Sequence, residues 1–303
     1  MHGLADRPRH RWAVLAASVA LAMVTACSGP TTPMPEETYA PEPNARTHWE
    51  LRHRIVETPG IEVTTQWLGD QTEGTGVVLG DTTTQRPEEC YVSVGSPGDE
   101  GPGNMVGEKI ETSFEGHPAV RNGAGAEGDY LMWQLSDNSW VQVSCSSEGS
   151  RKSIDRVASA VEFTPTTIRI PVDLKPSAGT RPSNISVDLA KPGFRIHLDA
   201  ARSDNRGDLT VWMPGEDQAE QPAGKSATVA GRPAVISDTK ISPAVWMQEQ
   251  GSWIYVGADT SDYGPYPDRS SEMPAVRDLA ESLTFAPDLS DPATWFSAED
   301  VFG

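Results

Sequence analysis

The chain has 303 residues, with 43 acidic against 24 basic side chains and a net charge of −19 at pH 7. A surface of this charge repels the phosphates of nucleic acids and anionic lipid head groups, so we expect no nucleic-acid partner. The length leaves room for two domains of about 100–150 residues each after an N-terminal leader.

The first 27 residues carry a targeting signal. Three arginines precede residue 12, and an apolar run of fifteen residues, Trp12–Ala26, follows. A membrane-spanning helix needs about 20 such residues, so the run fits a signal peptide at 1–26. The run ends in Val-Thr-Ala before Cys27, which resembles the bacterial lipobox, where the cysteine sulfur takes a diacylglyceryl group. We therefore predict attachment to the outer face of the cytoplasmic membrane; an ordinary secretory signal with a chance cysteine is the alternative.

Residues 27–45 form a predicted disordered tether. After Cys27 the chain reads SGPTTPMPEETYAPEPN, which is rich in proline, threonine and glutamate and has hardly any large aliphatic side chains. Such a segment buries too little apolar surface to order itself. Acyl chains contribute about 0.8 kcal/mol per buried CH₂, so two or three chains on Cys27 would hold the protein stably on a membrane.

An internal repeat relates the two parts of the remaining chain. It is clearest in two segments with tryptophans seven residues apart, WQLSDNSWVQV from Trp133 and WMQEQGSWIYV from Trp246. Four further pairs of blocks match, namely 74–81 with 193–199, 91–100 with 208–217, 116–120 (GHPAV) with 231–235 (GRPAV), and 154–165 with 276–287. The offset drifts between blocks, which places insertions in loops, as in related folded units.

Each copy of the repeat combines two periodicities. The early blocks alternate with period 2, which is typical of strands, and the tryptophan blocks are predicted hairpins turning near 136–138 and 250–251. Residues 154–161 and 276–283 have apolar side chains at i, i+3, i+4 and i+7, which favours an amphipathic helix.

This pattern predicts an α+β fold of two tandem related units. Each unit is expected to be a small antiparallel sheet with a C-terminal amphipathic helix packed on one face. The first unit is predicted at 46–165 and the second at 166–287, followed by an acidic aromatic tail at 288–303. We expect this tail to fold back on the second unit, with docking to a partner as the alternative.

The order of blocks GxPAV, tryptophan hairpin, LAESL helix and FxP resembles a family of Gram-positive extracytoplasmic domains. This DUF4367 type includes uncharacterised lipoproteins and the outward-facing parts of anti-sigma factors. The resemblance covers about half of each unit and implies an α+β fold without catalytic residues. The rival resemblance is to the Mog1/PsbP-like sandwich, which also occurs in actinobacterial lipoproteins.

Two cysteines besides Cys27 are predicted to form a structural disulfide. Cys90 and Cys145 share the parity of apolar neighbours on their strands, and thiols oxidise outside the cytoplasm. The aligned positions in the second copy, Gly207 and Ala258, both lack cysteine, as expected for one bond present in one copy. A loop of about 55 residues closed this way contributes roughly 3–4 kcal/mol of stability. Two independent buried thiols are the alternative.

The search for catalytic and metal-binding motifs favours a protein without enzymatic activity or cofactor. No G-x-S-x-G, H-E-x-x-H, P-loop or strand-linked G-x-G-x-x-G occurs. His48 and His53 are expected to be solvated or at an edge strand, His117 in a polar loop, and His197 on a solvent face. A weak calcium candidate is the acidic loop with Asp259, Asp262 and Asp268, whose spacing lacks the D-x-D-x-D-G order.

The tryptophans are the candidate binding groups. Trp133 shares its parity with Leu131 and Leu135 and is expected in the core. Trp140 and Trp253 fall on the opposite face of their strands, where they are either covered by protein or contact a ligand. We expect a lipid-anchored extracytoplasmic protein that binds or assists another envelope component. A carrier of apolar ligands is the first alternative, marked by an apolar cavity of several hundred Å³ under a helix; a hydrolase with a dispersed site is the second.

Overall fold

The computed structural model describes residues 48–56, 58–80, 88–95, 109–122, 129–135, 138–146, 151–176, 180–200, 208–214, 222–258 and 268–303. The predicted signal peptide, the predicted lipidation residue Cys27 and the predicted tether lie outside these residues. Residues 39–303 form one compact unit. Within it we distinguish a first half, residues 48–167, and a second half, residues 168–303.

Each half contributes eleven of the described strands. Those of the first half are β1 (Glu50–Leu51), β2 (Arg54–Ile55), β3 (Ile61–Gly69), β4 (Thr72–Leu79), β5 (Glu88–Gly95), β6 (Lys109–Phe114), β7 (His117–Asn122), β8 (Asp129–Gln134), β9 (Trp140–Cys145), β10 (Val161–Glu162) and β11 (Thr166–Thr167). Those of the second half are β12 (Arg169–Ile170), β13 (Val172–Asp173), β14 (Thr180–Asp188), β15 (Gly193–Ala200), β16 (Leu209–Met213), β17 (Lys225–Val229), β18 (Arg232–Ser237), β19 (Ala244–Glu249), β20 (Ser252–Ala258), β21 (Thr284–Phe285) and β22 (Phe296–Ser297). The helices are α1 (Arg151–Ala158), α2 (Met273–Ser282) and α3 (Ala298–Phe302).

The predicted α+β fold class is wrong. Strands hold 56% of the described residues and helices 15%. The fold is one large antiparallel sheet of fourteen strands with four two-stranded sheets and a few short helices. The strand order is β17-β18-β19-β20-β16-β15-β14-β3-β4-β5-β9-β8-β7-β6. Two separate small sheets are not formed, because β3 and β14 pair with each other and neither is left as an unpaired edge.

Outward from the β3–β14 pair, the strands of the two halves follow one another in equivalent order. The first half runs β3-β4-β5-β9-β8-β7-β6, and the second half runs β14-β15-β16-β20-β19-β18-β17. β3 and β14 each have nine residues, and each carries a bulge at the same place, between Val63 and Thr65 and between Pro182 and Asn184. β4 and β15 each have eight residues. The two halves therefore have the same connectivity, and residues of one half have a defined counterpart in the other.

The pairing registers correct two details of the sequence alignment. β5 and β16 are equivalent with an offset of 119 residues, so the counterpart of Cys90 is Leu209 and not Gly207. In the tryptophan hairpins, Trp133 pairs with Val141, whereas Met247 pairs with Ile254. Trp133 therefore corresponds to Met247. Trp133 and Trp246, which the sequence aligns with each other, lie on opposite faces of the sheet.

One face of the sheet, the inner face, packs against the helices. α1 buries Ile154, Val157 and Ala158 against the first half, and α2 buries Val276, Leu279 and Ala280 against the second. The cores interlock at the N-terminus, because Trp49, Leu51 and Leu68 belong to the core of the second half. The opposite face, the outer face, carries the alternate residues of each strand.

The acidic C-terminal tail is packed against the second half and the N-terminal segment. Trp295 is only 2% exposed, and β22 pairs with β12. The ring of Phe302 lies 5.4 Å from that of Trp49, whose backbone N–H donates to the Glu299 carboxylate. The tail thus takes the place that β11 has in the first half, where β11 pairs with β1.

The predicted disulfide joins Cys90 and Cys145. The two residues are directly opposite on β5 and β9, and both side chains are buried. Because Ser146 N–H donates to the Glu89 carbonyl in the neighbouring pair, the cysteines form a pair without mutual backbone hydrogen bonds. Such pairs have the closer side chains in antiparallel sheets.

Replacing this bond by its second-half counterpart, Cys90→Leu with Cys145→Ala, should lower the free energy of unfolding by about 4 kcal/mol. The bond closes a sequence separation of 55 residues, and the loss follows from the entropy that the unfolded chain regains. Urea unfolding of residues 39–303 measures the change. As a control, both proteins are unfolded with and without a reductant. The reductant should lower the stability of the wild type and leave that of the variant unchanged. An unchanged midpoint would contradict this role.

Candidate ligand pocket

A pocket of about 440 Å³ opens in the first half between the inner face of the sheet, the C-terminal end of α1 and the strand β10. We call it the α1 pocket. Its wall is mainly apolar and consists of Val94, Phe114, Trp133, Leu135, Ala158, Val161 and Phe163. Ligand pockets typically have volumes of about 300–1,000 Å³ and such apolar walls. Phe163 is 46% exposed, which is unusual for a large apolar side chain at a cavity.

The second half closes the equivalent place. The counterparts of His117, Leu135 and Phe163 are Arg232, Glu249 and Phe285. Arg232 Nε donates to the Glu249 carboxylate at 2.5 Å, and its guanidinium lies 4.9 Å from the centre of the Phe285 ring. The three first-half residues instead line the opening of the α1 pocket.

A longer chain segment also covers this place in the second half. Ten residues separate β21 from β22, whereas only three separate β10 from β11. The Gln250 side-chain amide donates to the carbonyls of Ala286 and Pro287, and its oxygen accepts from Leu289 N–H. Residues 286–289 are thereby held against the β19–β20 hairpin, and Leu289 is buried. The α1 pocket lies where the first half lacks this cover.

The rim of the α1 pocket contains three polar residues. Glu115 and His117 come from the β6–β7 turn, where Glu115 has φ 49° and Gly116 φ 85°. These positive φ angles are typical of a two-residue hairpin turn, whose second position favours glycine. This explains the glycine of the GHPAV block. Arg52 donates to the Gly95 carbonyl at 2.5 Å. The rim therefore offers groups of both charges to the polar end of a ligand.

Beneath the rim lies a fully buried polar network. Glu73 Oε1 is 3.3 Å from His53 Nδ1, and His53 Nε2 is 3.1 Å from the Thr75 hydroxyl. The Arg52 backbone N–H donates to the same Glu73 oxygen at 2.6 Å, which links the network to the pocket. With the His53 proton on Nδ1, the ring donates to Glu73 and accepts from Thr75, so each group has a partner.

The network keeps the Glu73 carboxyl ionised. Burial alone would raise the pKa of Glu73, but hydrogen bonds from His53 and from the Arg52 N–H, together with the charge of the Arg52 guanidinium, outweigh burial and lower this pKa. The counterparts of His53, Glu73 and Thr75 in the second half are Val172, Phe194 and Ile196, all buried and apolar. The shared fold therefore does not require the network.

The prediction that His53 is solvated or at an open edge is wrong, since it is completely buried. The two-residue strand β2 that follows it was too short to be recognised by periodicity. A signal for its partners was present, because Glu73 and Thr75 share their parity with Val77 and Leu79 and thus point to the inner face. Acid, imidazole and hydroxyl stand in the order of a catalytic triad, but the buried Thr75 gives a substrate no access.

The other histidines are placed as follows. His117 lies at the rim of the α1 pocket, and no hydrogen bond to a carboxylate or hydroxyl is seen for it within the described part of the chain. His197 Nδ1 is 3.1 Å from the Thr210 hydroxyl on the outer face. His48 Nδ1 is 3.5 Å from the Glu299 carboxylate near the N-terminus. The structure does not bring these three histidines together.

The two candidate tryptophans, Trp140 and Trp253, are half-buried on the outer face, as their parity indicates. Neither lines the α1 pocket. Trp133 is buried and does line that pocket, with its ring 4.8 Å from that of Phe114. Phe163 also contributes, and neither Phe114 nor Phe163 was singled out from the sequence.

The metal candidates give no assembled site among the residues that the structure describes. Asp259 and Asp262 lie outside them, and Asp268 is exposed. Hydrogen bonds from the Ser270 hydroxyl and backbone N–H lower the Asp268 pKa, which marks a local turn. Glu88, Cys90 and Cys145 lie close enough together to hold an ion, but both sulfurs are bonded to each other.

No family model, no curated protein and no solved structure matches this chain. The resemblance to the DUF4367 type and its Mog1/PsbP-like rival therefore stay predictions. The helices in the described residues are all too short or too polar to cross a membrane.

The Glu73→Gln variant should lower the free energy of unfolding by about 2 kcal/mol at pH 7, because hydrogen bonds to a charged group are worth about 1.5–3 kcal/mol. The folded-state pKa of Glu73 lies below its ordinary value of 4.5. Ionised Glu73 therefore stabilises the fold above pH 4.5, and this contribution is lost as the pH falls through the lower folded-state pKa.

The difference between wild type and Glu73→Gln should accordingly shrink as the pH falls below 4.5, as measured by urea unfolding between pH 7 and pH 3. The exposed Glu111 supplies the matched control, Glu111→Gln, for which we expect a change within about 0.5 kcal/mol at pH 7. A difference that stays constant over the whole pH range would show that the Glu73 charge does not stabilise the fold.

Proposed function

We propose that the protein is a lipid-anchored, extracytoplasmic, non-enzymatic binding protein that holds an apolar or amphipathic small ligand in the α1 pocket. The observation that carries this proposal is the open, apolar pocket of about 440 Å³ at a place that the second half closes. Among the sequence-based alternatives, this favours the carrier of apolar ligands. Binding or assisting another envelope component remains compatible with it, since the ligand can be part of such a component.

The pocket wall sets the chemistry of the proposed ligand. Trp133 and Phe114 offer ring surfaces, and Val94, Leu135 and Val161 offer aliphatic surface. Burying apolar ligand surface against such a wall contributes about 25 cal/mol per Å². The polar residues lie at the rim, so an apolar body inside and a polar end outside is the arrangement that leaves the fewest polar groups without partners.

Catalysis is disfavoured by the placement of the titratable groups. The ordered set of Glu73, His53 and Thr75 is buried, and His117 at the rim lacks a hydrogen-bonded carboxylate or hydroxyl among the described residues. A general base must lie within hydrogen-bond reach of the proton that it abstracts. The residues that face the α1 pocket suit retention of a molecule and not its conversion.

The double variant His117→Arg with Leu135→Glu should close the α1 pocket, because it installs the Arg232–Glu249 ion pair of the second half. The probe is N-phenyl-1-naphthylamine, whose fluorescence rises in apolar surroundings, titrated into residues 39–303. We expect saturable binding to the wild type and at least tenfold weaker binding to the double variant. A fatty acid should displace the probe from the wild type.

The controls are the single variants and an exposed site of the second half, Ile241→Glu. Ile241 is 47% exposed and lies outside the α1 pocket. The single variants place one charge at the rim without a partner and should weaken binding less than the pair does. Probe binding that is absent in the wild type, or unchanged in the double variant, would refute the proposed pocket function.

The anchor is tested in the full chain by Cys27→Ala. Because the acyl chains are expected on the Cys27 sulfur, metabolic labelling with an alkyne fatty acid in a bacterial host should mark the wild type and not the variant. Cys90→Leu with Cys145→Ala is the matched control and should keep the label. Equal labelling of wild type and Cys27→Ala would rule out lipidation at this cysteine.

A further inference from the structure

The outer face of the sheet carries an aromatic groove where the two halves meet. Trp67 on β3, Tyr91 on β5 and Trp212 on β16 line a depression of about 470 Å³. The rings of Trp67 and Tyr91 are 6.3 Å apart. The ring of Trp212 also lies next to those of Trp246 and Tyr255, with distances between ring centres of 6.2 and 6.3 Å. We call this feature the outer-face groove.

Two glycines of β4 lie opposite the aromatic residues Trp67 and Tyr91. Gly74 is the cross-strand neighbour of Trp67, and a Cβ added there would lie 2.0 Å from the indole. Gly76 is the neighbour of Tyr91, and an added Cβ there would make an ordinary contact of 3.4 Å with the phenol ring but would lie 2.2 Å from the Thr65 hydroxyl. The two rings are tilted by 58° to each other; Trp67 is half-buried and Tyr91 is 41% exposed. Glycine within a strand commonly marks such a close approach.

The residues that line the groove have a net charge opposite to that of the whole chain; next to them, the Glu89 carboxylate accepts from the Tyr91 hydroxyl at 3.0 Å. Arg195 and Lys191 line the groove together with Asp188, which gives a net charge of +1 within a chain of net charge −19. The Arg195 guanidinium lies 5.2 Å from the centre of the Trp212 ring. The Asp188 carboxylate accepts from the backbone N–H groups of Ala190 and Lys191 and so serves the β14–β15 turn.

We propose that the outer-face groove binds a saccharide chain that carries carboxylate groups. The apolar C–H faces of sugar rings pack on aromatic side chains, and Trp67, Tyr91 and Trp212 line the groove, with Tyr91 41% exposed. Carboxylates complement Arg195 and Lys191, which offer charge-assisted hydrogen bonds. An acidic peptide would use the two cations but would gain little from the aromatic rings of the groove. This site lies on the opposite face of the sheet from the α1 pocket and is independent of its ligand.

Three soluble probes separate these sources of affinity in calorimetric titrations of residues 39–303. They are a hexamer of a uronic acid, an uncharged hexasaccharide and hexaglutamate. We expect saturable binding of the uronic acid hexamer, at least tenfold weaker binding of the uncharged hexamer, and no saturable binding of hexaglutamate. Hexaglutamate binding as tight as that of the uronic acid hexamer would overturn the proposal in favour of an acidic protein partner.

Variants of the groove assign the contributions. Trp67→Ala and Tyr91→Ala should each weaken binding of both saccharides at least fivefold. Arg195→Gln should weaken binding of the uronic acid hexamer and leave binding of the uncharged hexamer unchanged. Trp140→Ala, a half-buried tryptophan of the same face outside the groove, is the matched control and should leave binding unchanged.

Thermal unfolding checks that each variant is folded, and the exposed Tyr91 supplies a second test where Trp67→Ala is destabilised. The pocket-closing variant His117→Arg with Leu135→Glu should bind the uronic acid hexamer as the wild type does, which separates failure of the groove from failure of the α1 pocket. Absence of saturable binding of the uronic acid hexamer, or full binding of it by Tyr91→Ala, would overturn the proposal.

Discussion

The antiparallel pairing of β3 with β14 is the contact on which the arrangement of both halves depends. It joins five residue pairs, from Gly69 with Asn184 to Thr65 with Asp188, and it satisfies backbone groups that would otherwise form two open edges. Arg181 adds a bidentate ion pair across the junction, with its two terminal nitrogens 3.1 and 2.8 Å from the Asp70 carboxylate oxygens. The same pairing aligns the faces, so that the inner face is continuous and the outer-face groove has walls from both halves.

The two halves have the same connectivity but differ in the residues of their interiors. Where the second half has Val172, Phe194 and Ile196 in its core, the first has a buried carboxylate, imidazole and hydroxyl. Apolar packing is the less demanding solution, because a buried polar group is costly unless every partner is present. The polar network and the α1 pocket occur in the same half and are connected through Arg52. The half that contains the buried polar network is therefore also the half that contains the open α1 pocket.

The sequence predicted local features better than their assembly. Parity placed Trp133 inside and Trp140 outside, and it placed Cys90 and Cys145 on the apolar faces of their strands, because side-chain alternation is a local property of a strand. The fold class was wrong because the edge pairing of β3 with β14 depends on residues about 120 positions apart and leaves no periodic signal. His53 was misplaced because a two-residue strand carries no period. The sequence did not predict the α1 pocket for a third reason. The pocket forms where the first half lacks the Arg232–Glu249 ion pair and the residues 286–289 of the second half.

The comparison of the halves also bears on why the α1 pocket is open. An exposed phenylalanine and an apolar cavity wall cost free energy in water, at about 25 cal/mol per Å² of apolar surface. The second half avoids this cost with an ion pair between Arg232 and Glu249 and with residues 286–289, on a backbone of the same connectivity. The first half has His117 and Leu135 at the equivalent positions and so keeps the surface accessible. Under the proposed function, the ligand takes the place that the second half fills with its own chain, and its binding free energy offsets the cost of the open surface.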